Sequence, residues 1–211
     1  MNRHDFLKRS GLLLIILVIQ LPLQVFSGDP LDLYRPLRGS PLEEKILQYA
    51  RDCITHKLDP KKEMPKKIAD LSELPQTGLY MSLMKGPNVR VCIGGFTPFS
   101  NSMENAINDL AGRVTYGDTR TRPLSLSEME GLSIVLSFVG PLKEIANAFA
   151  IDFTREGLYV SQDDRSGVLL PGETRTIEYG LKRLMKQIGI NSKRPCRYAA
   201  FEVVVFDERT N

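Results

Sequence analysis

Residues 78–95 read Gly-Leu-Tyr-Met-Ser-Leu-Met-Lys-Gly-Pro-Asn-Val-Arg-Val-Cys-Ile-Gly-Gly. Apolar and polar side chains alternate on both sides of the Gly-Pro-Asn turn, and this pattern predicts an antiparallel hairpin. Successive side chains of a strand point to opposite faces of the sheet. The second strand therefore turns three apolar side chains toward the core: Val89, Val91 and Ile93. Arg90 and Cys92 point together to the opposite side.

Helices and further strands are predicted on both sides of this hairpin. Apolar residues recur at helical spacing in three segments with capping residues at their starts, which are 40–58, 101–114 and 174–188. A short helix is expected over 141–150, and strands are expected over 132–139, 157–161, 167–170 and 197–206. Strands that arrive as hairpins, with helices that do not alternate strictly between them, predict an α+β fold. We expect a mainly antiparallel sheet with flanking helices.

The first 27 residues are typical of an export signal. A basic start is followed by an apolar run over 11–19, and Val25 and Ser27 are the small residues that signal peptidase reads. We predict a cleaved signal peptide at 1–27, a Pro- and Gly-punctuated linker at 28–39 and one domain at 40–211. The protein is then exported, periplasmic or secreted, without membrane attachment. An uncleaved membrane anchor is the alternative, and His4, at the second Arg of a twin-arginine motif, leaves the export route open.

The charge balance argues against a nucleic-acid-binding surface. The full chain carries 28 basic and 25 acidic residues, and removing the leader's three basic residues and one acidic residue lowers the net charge from +3 to +1. Proteins that bind nucleic acid through the phosphate backbone need a strong positive field. We therefore expect no nucleic-acid partner.

Histidine and cysteine are too few and too scattered for a usual zinc site. His56 is the one histidine beyond the leader, and no CxxC or HExxH spacing occurs. Phosphate-loop and dinucleotide-binding glycine motifs are also missing, so we predict neither a metal nor a cofactor. In an oxidising compartment Cys53, Cys92 and Cys196 allow one disulfide and one thiol, or three buried thiols, and both alternatives stay open.

The segment around Cys92 resembles the AMMECR family, named for the Alport syndrome, midface hypoplasia, intellectual disability and elliptocytosis chromosomal region. The family hallmark Leu-Arg-Gly-Cys-Ile-Gly corresponds here to residues 89–94, Val-Arg-Val-Cys-Ile-Gly. Matches to further family elements follow in order and cover residues 43–208. The chain differs from the family pattern at Val91, Thr121 and Gly172, and these changes leave open whether a family activity is retained.

The resemblance implies two lobes around a cleft, with the Arg/Cys motif near that cleft. It implies no reaction, because the family has no settled biochemical activity. Bacterial members often occur beside Memo-type and radical SAM proteins, which suggests partners in a redox or modification pathway. Such an association by itself does not assign a function.

Two functions are compatible with these residues. The first is an accessory protein whose cleft binds a small anionic ligand or a partner protein. The second is a thiol-dependent enzyme with Cys92 as nucleophile or redox thiol, since a nearby guanidinium favours the thiolate. Arginine binds carboxylate or phosphate through two parallel hydrogen bonds. The candidate proton carriers are Asp118 and Glu173, and the candidate ligand-binding residues are Arg90, Gly94, Arg120 and Arg122.

Overall fold

The computed structural model describes residues 28–98, 100–117, 122–191 and 193–210. The predicted leader, residues 1–27, lies outside these ranges. The helices are α1 (Pro41–Leu58), the single turn α2 (Ala69–Ser72), α3 (Met103–Tyr116) and α4 (Ile177–Ile188). The strands are β1 (Gly78–Lys85), β2 (Asn88–Gly95), β3 (Ser133–Val139), β4 (Lys143–Ile145), β5 (Glu156–Gln162), β6 (Arg165–Leu169) and β7 (Arg197–Asp207).

The strands form one antiparallel sheet in the order β2-β1-β3-β7-β5-β6. β7 is the longest strand and belongs to both halves of the sheet: residues 203–207 pair with β3, and residues 197–202 pair with β5. β4 pairs with residues 198–200 of β7, on the same side of β7 as β3. The predicted α+β fold with a mainly antiparallel sheet and flanking helices is confirmed.

Each half of the sheet has its own core. Helices α1 and α3 pack on β1, β2 and β3 in lobe one, whose core holds Ile46, Leu110, Leu136 and Phe206 among others. Helix α4 packs on β5 and β6 in lobe two, around Leu158, Val160, Leu169 and Leu181. A third, smaller cluster lies where the lobes meet and contains Tyr80, Val139, Leu170 and Phe201. The fold therefore has two lobes joined by one continuous strand.

Local sequence signals account for the helix ends. The Ser40 side chain accepts the Glu43 amide and Pro41 occupies the first turn, so α1 begins as predicted. Helix α4 begins at Ile177, three residues later than predicted, because the Thr176 hydroxyl accepts the Tyr179 amide. It ends as predicted before Gly189, which has a φ of 71°.

Residues 28–39, expected as a linker, pack into lobe one. They form two short 3-10 turns that bury Leu31 and Tyr34 completely. The Tyr34 ring stacks on Phe138 with centroids 4.3 Å apart, and its hydroxyl donates to the Pro75 carbonyl at 2.6 Å. The segment lacks the 3.6-residue period of an α-helix because its core contacts, Leu31, Tyr34 and the partly buried Leu37, follow the three-residue spacing of 3-10 turns.

The prediction of a helix over 141–150 is wrong. Residues Lys143–Ile145 form β4, and the residues after it turn. The Asn147 side chain accepts the Phe149 amide at 3.0 Å, a local bond that competes with helix formation. Pairing with β7 supplies backbone partners that a helix would otherwise have to provide.

Candidate functional site

A cleft of about 640 Å³ lies between the lobes. Strand β2 of lobe one forms one wall, and β6 and α4 of lobe two form the other. Polar and charged side chains line it beside apolar ones: Tyr80, Arg90, Cys92, Glu173, Arg183 and Gln187. A cleft of this size, bounded by two lobes and lined by a few polar groups, has the form of a small-molecule site.

The two faces of β2 have different surroundings, as the alternation predicts, from Val91 onward. Val89, also expected on the core face, is half-buried and lines the cleft. Val91 is 2% exposed and belongs to the core of lobe one, against which Ile93 also packs. Cys92 is half-buried and packs on the opposite side, against the cluster between the lobes. The register shifts at Arg90: Val89 lies opposite Met84 and Val91 opposite Leu83, so Arg90 is the extra residue of a bulge.

Glu173 lies beside Cys92 in the cleft. Its carboxylate oxygens accept hydrogen bonds from the Ser82 hydroxyl at 3.3 Å and the Leu170 amide at 3.2 Å, and the Cys92 thiol also donates to it. Burial raises the pKa of the Glu173 carboxyl above its ordinary value, although these donors and the charge of Arg183 act in the opposite direction. We call Ser82, Cys92 and Glu173 the floor cluster.

Tyr80 and Gly94 complete the wall around Cys92. They lie opposite each other on β1 and β2. A Cβ atom at residue 94 would lie 2.4 Å from Tyr80 Cγ, so glycine allows the ring to cross the neighbouring strand. Burial raises the pKa of the Tyr80 phenol well above its ordinary value, and the phenol stays protonated. Gly94 therefore both lines the cleft and positions Tyr80.

Arg90 and Arg122 share one carboxylate. Arg90 Nε and Arg122 Nη2 each lie 3.2 Å from Glu128 Oε1, and Arg90 also donates to the Arg122 carbonyl at 3.0 Å. The Ser125 amide donates to the other Glu128 oxygen. The hydrogen bond from Arg90, followed by the Ser125 amide, lowers the pKa of Glu128 to about 2. We call Arg90, Arg122 and Glu128 the rim cluster.

The AMMECR1 family model matches residues 47–209. The chain belongs to the AMMECR1 family. Its fold is similar to that in the crystal structure of an uncharacterized protein, PH0010, from Pyrococcus horikoshii, with a TM-score of 0.58. The two sequences are 23% identical, and the match covers 79% of this chain and 91% of that chain. No curated protein sequence matches the chain.

Two positions at which this AMMECR1 chain differs from the family pattern lie among the described residues. Gly172 has a φ of 80°, a conformation that favours glycine, in the turn that brings Glu173 into the cleft. Val91 fills the core of lobe one at the position of the motif's central glycine. Thr121 lies outside the described residues, as do the candidates Asp118 and Arg120.

Four of the remaining candidates line the cleft: Arg90, Cys92, Gly94 and Glu173. Arg122 lies outside the cleft lining, and its side chain is 78% exposed. Arg183 and Gln187 line the cleft and are absent from the sequence-based candidates. The sequence signal that could have found them is their position on α4 beside its apolar stripe. Two residues of that stripe, Leu184 and Ile188, are half-buried in the cleft wall.

The three cysteines form no disulfide. Cys53 is buried against lobe one, and burial raises the pKa of its thiol to about 11. Cys196 lies in lobe two, where the Gln162 side chain donates to its sulfur at 3.4 Å. Among the described residues, no group of three His, Cys, Asp or Glu side chains is placed to hold a metal ion.

Proposed function

We propose that this AMMECR1-family protein is an accessory protein that binds a small anionic ligand in the cleft between its lobes. The observation that carries the proposal is the convergence of both lobes on Cys92 and Glu173. Strand β2 supplies the thiol, the turn after β6 supplies the carboxyl, and α4 closes the opposite wall. Ligand sites commonly occur between lobes, where a few polar groups fix the orientation of a small molecule.

The charge around the cleft favours an anion. Among the residues that line the cleft, the guanidinium groups of Arg90 and Arg183 stand against the carboxyl of Glu173. The net charge of these three side chains is +1 with Glu173 ionised and rises when Glu173 takes up a proton. An apolar wall lowers the effective dielectric constant and strengthens the attraction.

Alkylation of the full-length chain by iodoacetamide tests this proposal. The modified cysteine is identified by peptide mass spectrometry, with Cys196 as the control thiol outside the cleft. We expect succinate or inorganic phosphate to slow the reaction of Cys92 and leave that of Cys196 unchanged. An unreactive Cys92 in the folded protein, or a rate that neither anion changes, contradicts the proposal.

A thiol-dependent enzyme is the second candidate, and the hydrogen bond between Cys92 and Glu173 favours it. In such a reaction the ionised Glu173 takes the thiol proton, and the sulfur adds to a carbonyl carbon of the substrate. The carbonyl π bond breaks, its electron pair moves to the oxygen, and that oxygen receives the proton from Glu173. A catalytic thiol reacts much faster at neutral pH than an ordinary thiol with a pKa of about 8.5. An ordinary alkylation rate for Cys92, compared with Cys196, removes this candidate and leaves the binding protein.

We also propose that the protein is exported and that its partners belong to the Memo-type or radical SAM pathway suggested by family association. Within the described ranges, no helix combines the length and apolar character needed to cross a membrane. N-terminal sequencing of periplasmic or secreted material should begin at Gly28. Full-length protein found only in the cytosol contradicts export, and co-purification with a pathway protein tests the partner.

A further inference from the structure

One face of α4 forms the wall of the cleft opposite β2. Gly180, Arg183, Leu184, Gln187 and Ile188 line the cleft at intervals of three and four residues. Residues with this spacing share one side of a helix. The apolar members of this face, Leu184 and Ile188, also pack against Gly167 of β6. Arg183 and Gln187 are the polar members, and both are exposed.

Gly180 sets the distance between α4 and the turn that carries Glu173. A Cβ atom at residue 180 would lie 2.5 Å from Thr174 Cγ2 and 2.8 Å from Leu169 Cδ2. A larger residue would therefore push the first turn of the helix away from the cleft. The close approach places Arg183 beside the Glu173 backbone, whose carbonyl accepts from Arg183 Nη2 at 3.4 Å.

Arg183 differs from the two arginines of the rim cluster in its partners. Glu128 already binds Arg90 and Arg122. Among the described residues, no carboxylate oxygen lies within salt-bridge distance of Arg183, and its hydrogen bond to the Glu173 carbonyl is long. A guanidinium with this geometry keeps most of its donors available for a second group.

We propose that Arg183, with the Gln187 amide beside it, binds the carboxylate group of the cleft's ligand. This inference rests on the proposed ligand-binding function and assigns the anion to α4 instead of the motif arginine Arg90. A carboxylate fits for two reasons. The planar fork of arginine matches its two oxygens. The net charge of +1 around the cleft also balances a monoanion better than a phosphate dianion.

The test is the ratio of two alkylation rates at Cys92 in the full-length chain. Iodoacetate and iodoacetamide both react with the thiolate and differ in that iodoacetate carries a carboxylate. Their rate ratio therefore measures the preference of the cleft for that group and is independent of the thiol's own pKa. Cys196 in the same protein provides the reference ratio.

We expect Arg183→Gln to lower the iodoacetate preference at Cys92 by about three- to tenfold, the effect of one unit charge at short range. Arg183→Lys should retain part of the preference because it keeps the charge without the fork. Arg122→Gln is the matched control, since it removes an equal charge from the rim cluster. Circular dichroism melting of each variant verifies the fold.

Each outcome decides a separate point. A ratio that Arg183→Gln leaves unchanged, or that Arg122→Gln lowers equally, overturns the assignment to Arg183 while the cleft still binds ligand. A Cys92 that reacts with neither reagent overturns the proposed function itself. In the wild-type chain acetate, a monocarboxylate, should protect Cys92 better than phosphate. Protection by phosphate alone overturns the carboxylate.

Discussion

The two faces of strand β2 contact different surroundings. Val91 and Ile93 pack into the core of lobe one, where each side chain contributes by excluding water. Cys92 and Arg90 line the cleft. Cys92 contacts Glu173 there, and Arg90 binds Glu128 of the rim cluster. The comparison teaches that core packing and the proposed binding function use alternate residues of one strand. Substitutions on the two faces should therefore have different consequences.

The largest effect is expected for Val91→Asp. It places a carboxylate without a partner in the core of lobe one, and we expect a loss of about 4 kcal/mol or more, enough to unfold the domain. Cys92→Ser is the control on the other face and should change the free energy of unfolding by about 1 kcal/mol or less. Urea denaturation measures both. A folded Val91→Asp variant with wild-type stability contradicts the assignment of the faces.

Helix α3 packs against the core face of β2, so Leu110→Ala should cause the next largest loss of stability. Leu110 is fully buried in the same core. Deleting a buried leucine side chain costs about 2–5 kcal/mol through lost burial and the cavity left behind. Asp109→Ala on the exposed side of α3 should change stability by about 0.5 kcal/mol or less. Equal losses in the two variants show that the helix face is assigned wrongly.

A smaller effect is expected where the cleft face meets β1. Gly94→Ala places a Cβ atom 2.4 Å from Tyr80 Cα and Cγ. We expect destabilisation by about 1–3 kcal/mol, because two paired strands must shift apart. Gly112→Ala in α3 is the matched control: its Cβ meets only Lys57 Cε at 3.9 Å. It should stabilise the protein by about 0.5–1 kcal/mol, so the two melting temperatures should move in opposite directions.

The strand faces were predictable from Val91 onward because they depend on local periodicity, whereas the bulge at Arg90 places Val89 outside the core clusters. The hairpin around residues 86–87, helix α3 and the end of α4 at Gly189 all follow from patterns within about 20 residues. The helix expected over 141–150 failed because β4 gains its backbone partners from β7, far along the chain. No local pattern in that segment reports a distant strand edge.

The sequence predicted several of the residues that line the cleft, but it predicted fewer of the contacts between side chains. The resemblance to the family placed Cys92 at a cleft, and Glu173 was among the candidates. The sequence could not show that Glu128 binds Arg90, because their contact depends on the packing of a 3-10 turn against β2. Arg183 was missed for the same physical reason: its position opposite Cys92 depends on how α4 packs across lobe two.

The smallest expected effect is a difference in pH dependence between two carboxyls beside the cleft. Glu128 has a pKa of about 2 in the fold, below its ordinary value of 4.5, so the fold favours its ionised form. Its stabilising contribution is complete above pH 4.5 and is lost as the pH falls toward 2. Glu128→Gln should remove that part of the acid-induced loss, measured as the melting temperature against pH.

Glu173 should show the opposite sign. Because burial raises its pKa, the folded protein binds this proton more tightly than the unfolded chain does. Stability therefore decreases as the pH rises above 4.5 and through the raised pKa, and Glu173→Gln should remove that decrease. If both variants change the melting profile in the same pH range and with the same sign, the rim and floor clusters share one electrostatic environment. The carboxyls that contact Arg90 and Cys92 would then titrate alike, and the polar face of β2 would not divide into two electrostatically distinct clusters.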